Sequence, residues 1–142
     1  MTELKALLPS PTDDSREFWA ACNDGVLLLR SCRACAHCFY YPRQACPKCG
    51  SRDLEWRRSR GTATVFSYSH VHTSFYGSFW ESQLPYTVVL VDLSEGPRML
   101  SRLVGADHLE VRAGDPVEVQ FELVESQKLP FFHRIVHSRV ST

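Results

Sequence analysis

Four of the six cysteines stand in two Cys-x-x-Cys pairs, Cys32-Arg33-Ala34-Cys35 and Cys46-Pro47-Lys48-Cys49, with ten residues between the pairs. A tight turn of this kind lets two thiolates approach one ion. Two such turns supply the four sulfur ligands that a closed tetrahedral zinc site needs. Gly50 follows the second pair and suits a backbone that must reach positive φ. Iron in a tetrathiolate site takes the same ligands, so the spacing argues for structural zinc and leaves iron to metal analysis. Cys38 extends the first pair into the opening of an iron–sulfur run, but the fourth ligand of that run would fall on Pro42. Cys38 therefore reads as a spare thiol, and Cys22, on an apolar helix face, as a small core residue.

Three other groups of residues have chemical potential. Arg52, Arg57, Arg58 and Arg60 surround Trp56 and form the one basic cluster. Guanidinium groups grip phosphates bidentately and an indole stacks on adenine. The alternative is a solvated linker, because Asp53 and Glu55 dilute the charge. His70 and His72 are expected to share a strand face with Phe66 and Tyr68, where they could orient a substrate. Satisfied core histidines are the commoner use of such residues, here as for His37, His108, His133 and His137. The segment from Thr73 to Leu84 carries Phe75, Tyr76, Phe79 and Trp80. So aromatic a loop is costly in water, and it reads as an anchor for a protein partner. No Gly-x-Ser-x-Gly elbow, phosphate-binding glycine loop or His-Glu-x-x-His motif is present, so no independent catalysis is expected.

The elements that must position these residues fall into three zones. Residues 1–30 hold a helical segment and a lead-in strand. Ser10 with Pro11, or Asp14 with Glu17, would cap the helix, and Phe18, Trp19 and Cys22 make its apolar face. Asn23-Asp24-Gly25 stops it, and Val26 to Arg30 reads as a strand. Residues 31–60 have little apolar periodicity and need a metal to fold. Residues 61–142 are strand-rich. Thr62–His72, Tyr86–Leu93, Arg98–Val104, Val117–Leu123 and Phe131–Ser138 alternate or run apolar between turns at Ser94–Pro97 and Ala113–Pro116. Five strands in about 80 residues, with a helical turn near 105–110, predict a small closed barrel of the OB type. The expected class is mainly β: a helical segment, a zinc ribbon, then a five-stranded OB-fold.

Composition narrows the function. The chain has 142 residues, with 16 Lys+Arg balancing 16 Asp+Glu. A polyanion binder normally shows a basic excess, which counts against the OB-fold's use as a single-strand nucleic-acid module. No run approaches the roughly 18 apolar residues of a membrane span, and Met1 to Pro9 lacks a signal-peptide pattern, so the expected address is the cytoplasm.

One ordered set of residues resembles a known family. It runs from Phe18-Trp19 and Gly25-Val26-Leu27 through both cysteine pairs, Tyr41-Pro42-Arg43, Gly50-Ser51 and Leu54-Glu55-Trp56. Gly61, Pro85-Tyr86, Gly96 and Ala113-Gly114-Asp115-Pro116-Val117 continue it. This set is similar to the DUF35 family of acyl-CoA-associated proteins, over roughly residues 13–125. The resemblance implies a rubredoxin-like zinc ribbon followed by an OB-fold. It also implies a non-catalytic subunit that assembles with a thiolase-superfamily enzyme, a thiolase or an aldolase, and helps form or cover its acyl-CoA site. In that setting Trp56, Arg57, Arg58 and Arg60 would touch a CoA thioester held jointly with the partner, and Phe75, Tyr76, Phe79 and Trp80 would face the partner. Two departures bear on loop shape: Ala36 replaces a usual glycine, and Tyr41 the first of two prolines.

Overall fold

The computed structural model describes residues 8–73 and 77–135. Phe75, Tyr76, His137 and the end of the expected fifth strand lie outside the described residues.

The chain opens with helix α1, Arg16–Asn23. Its start lies later than Ser10-Pro11 or Asp14 would put it. Ser15 occupies the N-cap, and its hydroxyl turns back to accept the Thr12 N–H at 3.0 Å. Phe18, Trp19 and Cys22 form the buried face, as their spacing requires. Strand β1, Leu28–Cys32, pairs with β2, Cys38–Phe39, and with β3, Leu54–Arg58, in a three-stranded antiparallel sheet. The segment holding Trp56, Arg57 and Arg58 is thus a strand and not a solvated linker.

Five further strands close into a barrel: β4 Thr62–Val71, β5 Tyr86–Leu93, β6 Arg98–Val104, β7 Pro116–Val124 and β8 Gln127–Arg134. The order is β4-β5-β6-β8-β7, with the parallel β6–β8 pair completing the circle. A 3-10 turn at His108–Glu110 sits between the third and fourth barrel strands, where the sequence predicts a helical turn. This is the OB-type architecture. Short helix α2, Ser78–Ser82, lies within the aromatic loop between β4 and β5. No helix among the described residues is long and apolar enough to cross a membrane.

One core unites the elements. Phe18 and Cys22 of α1 and Leu27 and Leu29 of the ribbon pack with Val65, Val89, Val91, Leu103, Val117 and Phe132 of the barrel. A satellite cluster of Cys32, Phe39 and Cys46, with Leu54, lies beneath the cysteine pairs.

Polar clamps fix the joints. The Glu95 carboxylate, in the β5–β6 turn, accepts from the Ser59 hydroxyl at 2.9 Å and the Arg60 N–H at 2.7 Å. Gly61, at the ribbon-to-barrel crossing, has φ +82°, and a Cβ there would stand 2.6 Å from Val119 Cγ1. Only glycine suits that close approach. The Asn23 side chain accepts the Lys128 N–H at 2.9 Å, tying α1 to the last hairpin.

Two readings of strand detail are corrected. A bulge in β4 makes Phe66 an extra residue, since Val65 pairs with Val91 but Ser67 with Leu90. Parity flips there, so Phe66 does not share a face with Tyr68 and His70. Tyr68 and His70 lie opposite Val89 and Thr87, which are fully buried. The last strand begins at Gln127, four residues before Phe131, after a turn in which Glu125 takes φ +57°.

Candidate functional site

The four cysteines come together as spacing predicts. Each pair sits on a matching turn: the Ala36 N–H donates to the Cys32 carbonyl at 2.7 Å, and the Gly50 N–H to the Cys46 carbonyl at 2.8 Å. These turns require left-handed backbone, which Gly50 supplies at φ +80° and Ala36 at φ +66°. Ala36 thus keeps the shape of the glycine it replaces. Two further backbone bonds hold the turns, the Arg33 N–H donating to the Asp53 carbonyl across the ribbon and the Cys46 N–H to the Ser51 carbonyl, which closes the second turn.

The four sulfurs lie within 4.8 Å of one another, with Cys32 to Cys49 at 3.6 Å and Cys35 to Cys46 at 3.7 Å. Four thiolates about 2.3 Å from one zinc ion have sulfur–sulfur edges of about 3.8 Å, so the donor set fits a tetrahedral metal. Burial raises the Cys46 thiol, but N–H groups of Cys49 and Lys48 outweigh it and draw Cys46 down to about 7, whereas Cys49, despite the Ser51 N–H, is pushed up to about 12 by the neighbouring Cys32 and Cys35 thiols. Cys22 is fully buried and pushed up to about 12, an inert core thiol. Cys38 lies outside the cluster, its thiol raised chiefly by burial.

The arginines do not form one cluster. In the β1–β3 pair Trp56 stands opposite Arg30, Arg57 opposite Leu29 and Arg58 opposite Leu28. Strand parity therefore sends Trp56 and Arg58 to one side of the sheet and Arg57 to the other. The Arg30 guanidinium lies 4.1 Å over the Trp56 ring. Arg52 lines a shallow hollow beside them, shared with Asp13, Asp14 and Glu17. Arg60 sits past the strand, its backbone held by Glu95.

Phe79 and Trp80, on α2, do meet a continuous apolar surface. Their rings pack edge to face at 5.2 Å, and Trp80 lies 5.2 Å from Tyr86. An open groove of about 440 Å³ runs from Trp80 across the outer face of β5 and β6, past Leu100 and Phe131, to Trp19 and Tyr40. Leu100 is 60% exposed along it. Arg102 crosses the floor between the Tyr86 and Phe131 rings, with one N–H on the Gln83 side-chain oxygen at 3.2 Å. No local sequence signal marks Arg102, because its role depends on which strands become neighbours.

His70 and His108 are tied to the barrel through Thr87. Its hydroxyl is fully buried, 2.9 Å from His70 Nδ1 and 2.7 Å from His108 Nδ1. One hydroxyl proton means that Thr87 donates to one imidazole and accepts from the other. Burial, then Arg102 and His70, hold His108 below the usual histidine range. These are satisfied barrel histidines. A polar residue at an inward position of the Tyr86–Leu93 run, whose other inward residues are Val89, Val91 and Leu93, was the available signal.

Comparison with known proteins bears on the same regions. Residues 19–55 match the family model described as the ChsH2 rubredoxin-like zinc ribbon domain, and residues 56–122 the ChsH2 C-terminal OB-fold domain. A protein of Thermomonospora curvata named probable enoyl-CoA hydratase alpha subunit is 34% identical over 135 residues. That match takes in 93% of this chain but 41% of the relative, so the chain spans about two fifths of the relative's length. A DUF35 domain-containing scaffold protein of Methanothermobacter thermautotrophicus is 32% identical, covering 68% of this chain and 71% of its own. Among solved structures, a chain of the Ltp2-ChsH2(DUF35) aldolase superposes with a TM-score of 0.80 at 32% identity, over 91% of this chain and 100% of that one.

Proposed function

Since the chain belongs to the DUF35 family, with a zinc ribbon and OB-fold of the ChsH2 kind between residues 19 and 122, we propose that it is a non-catalytic, zinc-bearing partner subunit of a thiolase-superfamily acyl-CoA enzyme. In this role it helps form or cover the enzyme's acyl-CoA site, and turnover belongs to the partner. The observation that carries the reading is the exposed aromatic groove framed by α2, on a fold whose relatives are named as scaffold proteins and as a component of an aldolase. Aromatic anchors dominate interface energetics, and an open groove lined by four tryptophan and tyrosine side chains, Trp19, Tyr40, Trp80 and Tyr86, is suited to receive a partner.

Each group then has a place. Cys32, Cys35, Cys46 and Cys49 hold one zinc, which makes the ribbon a rigid bracket for α1 and the barrel. Phe79 and Trp80, with Phe75 and Tyr76, face the partner. Trp56, Arg57, Arg58 and Arg60 are the candidates for CoA contact. The parity of β3 means that Arg57 serves a different surface from Trp56 and Arg58.

Phe79→Ala combined with Trp80→Ala is expected to weaken assembly with the partner enzyme at least about tenfold, because two anchors of this type each contribute about 2 kcal/mol or more. Zinc content and the melting transition should change little, since both side chains lie outside the core. Size-exclusion chromatography of the co-expressed pair reads the outcome. Undiminished assembly would place the docking surface elsewhere.

A further inference from the structure

We infer that the cleft between the ribbon and the barrel is an anion site, in which Arg43, Lys48 and Arg57 take the phosphate groups of a phosphate-ester ligand. The cleft is open and measures about 560 Å³. Five basic side chains border it, His37, Arg43, Lys48, Arg57 and Arg98, against the single acid Glu95. Glu95 is already engaged, by the Ser59 hydroxyl and the Arg60 N–H. Arg98 is engaged too, in two bonds to Asp92 and with its guanidinium 3.5 Å over the Phe66 ring.

Arg43, Lys48 and Arg57 remain. None of them makes an ion pair with a carboxylate among the described residues, whereas Arg16, Arg33, Arg98 and Arg134 all do. Three cations without a carboxylate partner border this concavity on a chain of zero net charge, Lys48 and Arg57 within it and Arg43 at its edge, where it also borders the hollow of Asp13, Asp14 and Glu17. Register puts Arg57 there, opposite Leu29 and beside the Cys38 side chain, on the sheet face away from Trp56 and Arg58. A zinc ion held by four thiolates is formally a dianion, and Cys35 borders the cleft, so some of this charge answers the metal centre. Lys48 lies between two of the thiolate ligands and is the residue most tied to that role. Arg43 and Arg57 are therefore the diagnostic pair.

The identity of the natural ligand, the phosphates of a CoA thioester, rests on the function proposed above; the anion site does not. The test is calorimetric titration of the zinc-loaded full chain at low salt, first with inorganic pyrophosphate and then with CoA. Arg43→Gln with Arg57→Gln should weaken pyrophosphate binding about tenfold or more, as expected for lost charge-assisted contacts. Arg112→Gln with Lys128→Gln removes the same charge from residues that border neither the cleft nor the hollow beside it, and should change affinity by less than about twofold at equal zinc content. Equal losses in the two variants, or none in the first, overturn the inference. Pyrophosphate binding that depends on Arg43 and Arg57, with no CoA binding either by the chain or by its complex with the enzyme, keeps the anion site and removes the acyl-CoA reading. CoA binding that is unchanged by Arg43→Gln with Arg57→Gln overturns the site and keeps that reading. A single-stranded oligonucleotide that binds through Arg43 and Arg57 more tightly than CoA replaces the small phosphate ester with a nucleic acid and overturns the inference.

Discussion

Cys49→Ser is expected to abolish stable metal binding and to unfold residues 31–50, while the barrel keeps its structure. Cys49 is solvent-exposed, so removing its sulfur opens no cavity, and any collapse reports the metal. The segment has little else to hold it. Its satellite cluster is Cys32, Phe39 and Cys46 with two partly buried neighbours, and two of those three are themselves metal ligands. Zinc binding to thiolate sites of this size is worth on the order of 10 kcal/mol, and a ribbon without its own core depends on it for folding. The barrel has Val65, Val89, Val91, Leu103, Val117 and Phe132, and it closes on its own hydrogen bonds. Amide exchange should therefore accelerate across the ribbon and stay slow in β5 and β6. Metal analysis of the unmodified chain should return one zinc. Retained zinc in the variant, or uniform loss of protection through the barrel, would contradict this division.

Phe18→Ala should cost about 3–5 kcal/mol, the usual range for deleting a fully buried phenyl ring. Phe18 is 0% exposed and stands at the meeting point of the three zones. Its ring packs edge-on to Trp19 at 4.8 Å and lies 5.7 Å from Tyr40 and 5.6 Å from Tyr41. Trp19 in turn donates its indole N–H to the Tyr41 hydroxyl at 2.8 Å. Tyr41, where the family usually has proline, thus contributes a hydrogen bond between helix and ribbon. Losing the Phe18 ring leaves a cavity that neither helix nor barrel can close alone. Denaturant unfolding should show the loss at unchanged zinc content. A cost below about 1 kcal/mol would mean that α1 is not docked as described.

What was legible in the sequence followed from physical signals that act locally. The cysteine pairs fixed their own meeting point, because a Cys-x-x-Cys turn has one practical geometry. Tyr86–Leu93 and Arg98–Val104 were bounded correctly by alternation and a Gly-Pro turn. The failures depended on partners remote in the chain. Leu54–Arg58 is too short and too charged to announce a strand, and it becomes one by pairing with β1. The division of Trp56 and Arg58 from Arg57 follows from that pairing. The β4 bulge turned Tyr68 and His70 to the opposite face from Phe66 without any glycine to mark it. Gln127 and Lys128 hid the start of β8 because both are polar and the turn before them contains no glycine or asparagine. Helix α2 escaped notice because five residues carry no helical period. Phe79 and Trp80 were nevertheless recognisable as candidates from aromatic density alone.

The partner-subunit role is tested most directly by isolating the tagged full-length protein from its native host and identifying and weighing the complex it forms. The role predicts a thiolase-superfamily enzyme in fixed stoichiometry with this chain, whose acyl-CoA turnover falls when the chain is stripped away and returns when it is added back. Recovery of the chain alone, or with nucleic acid, or with an enzyme whose turnover is indifferent to its removal, would contradict it.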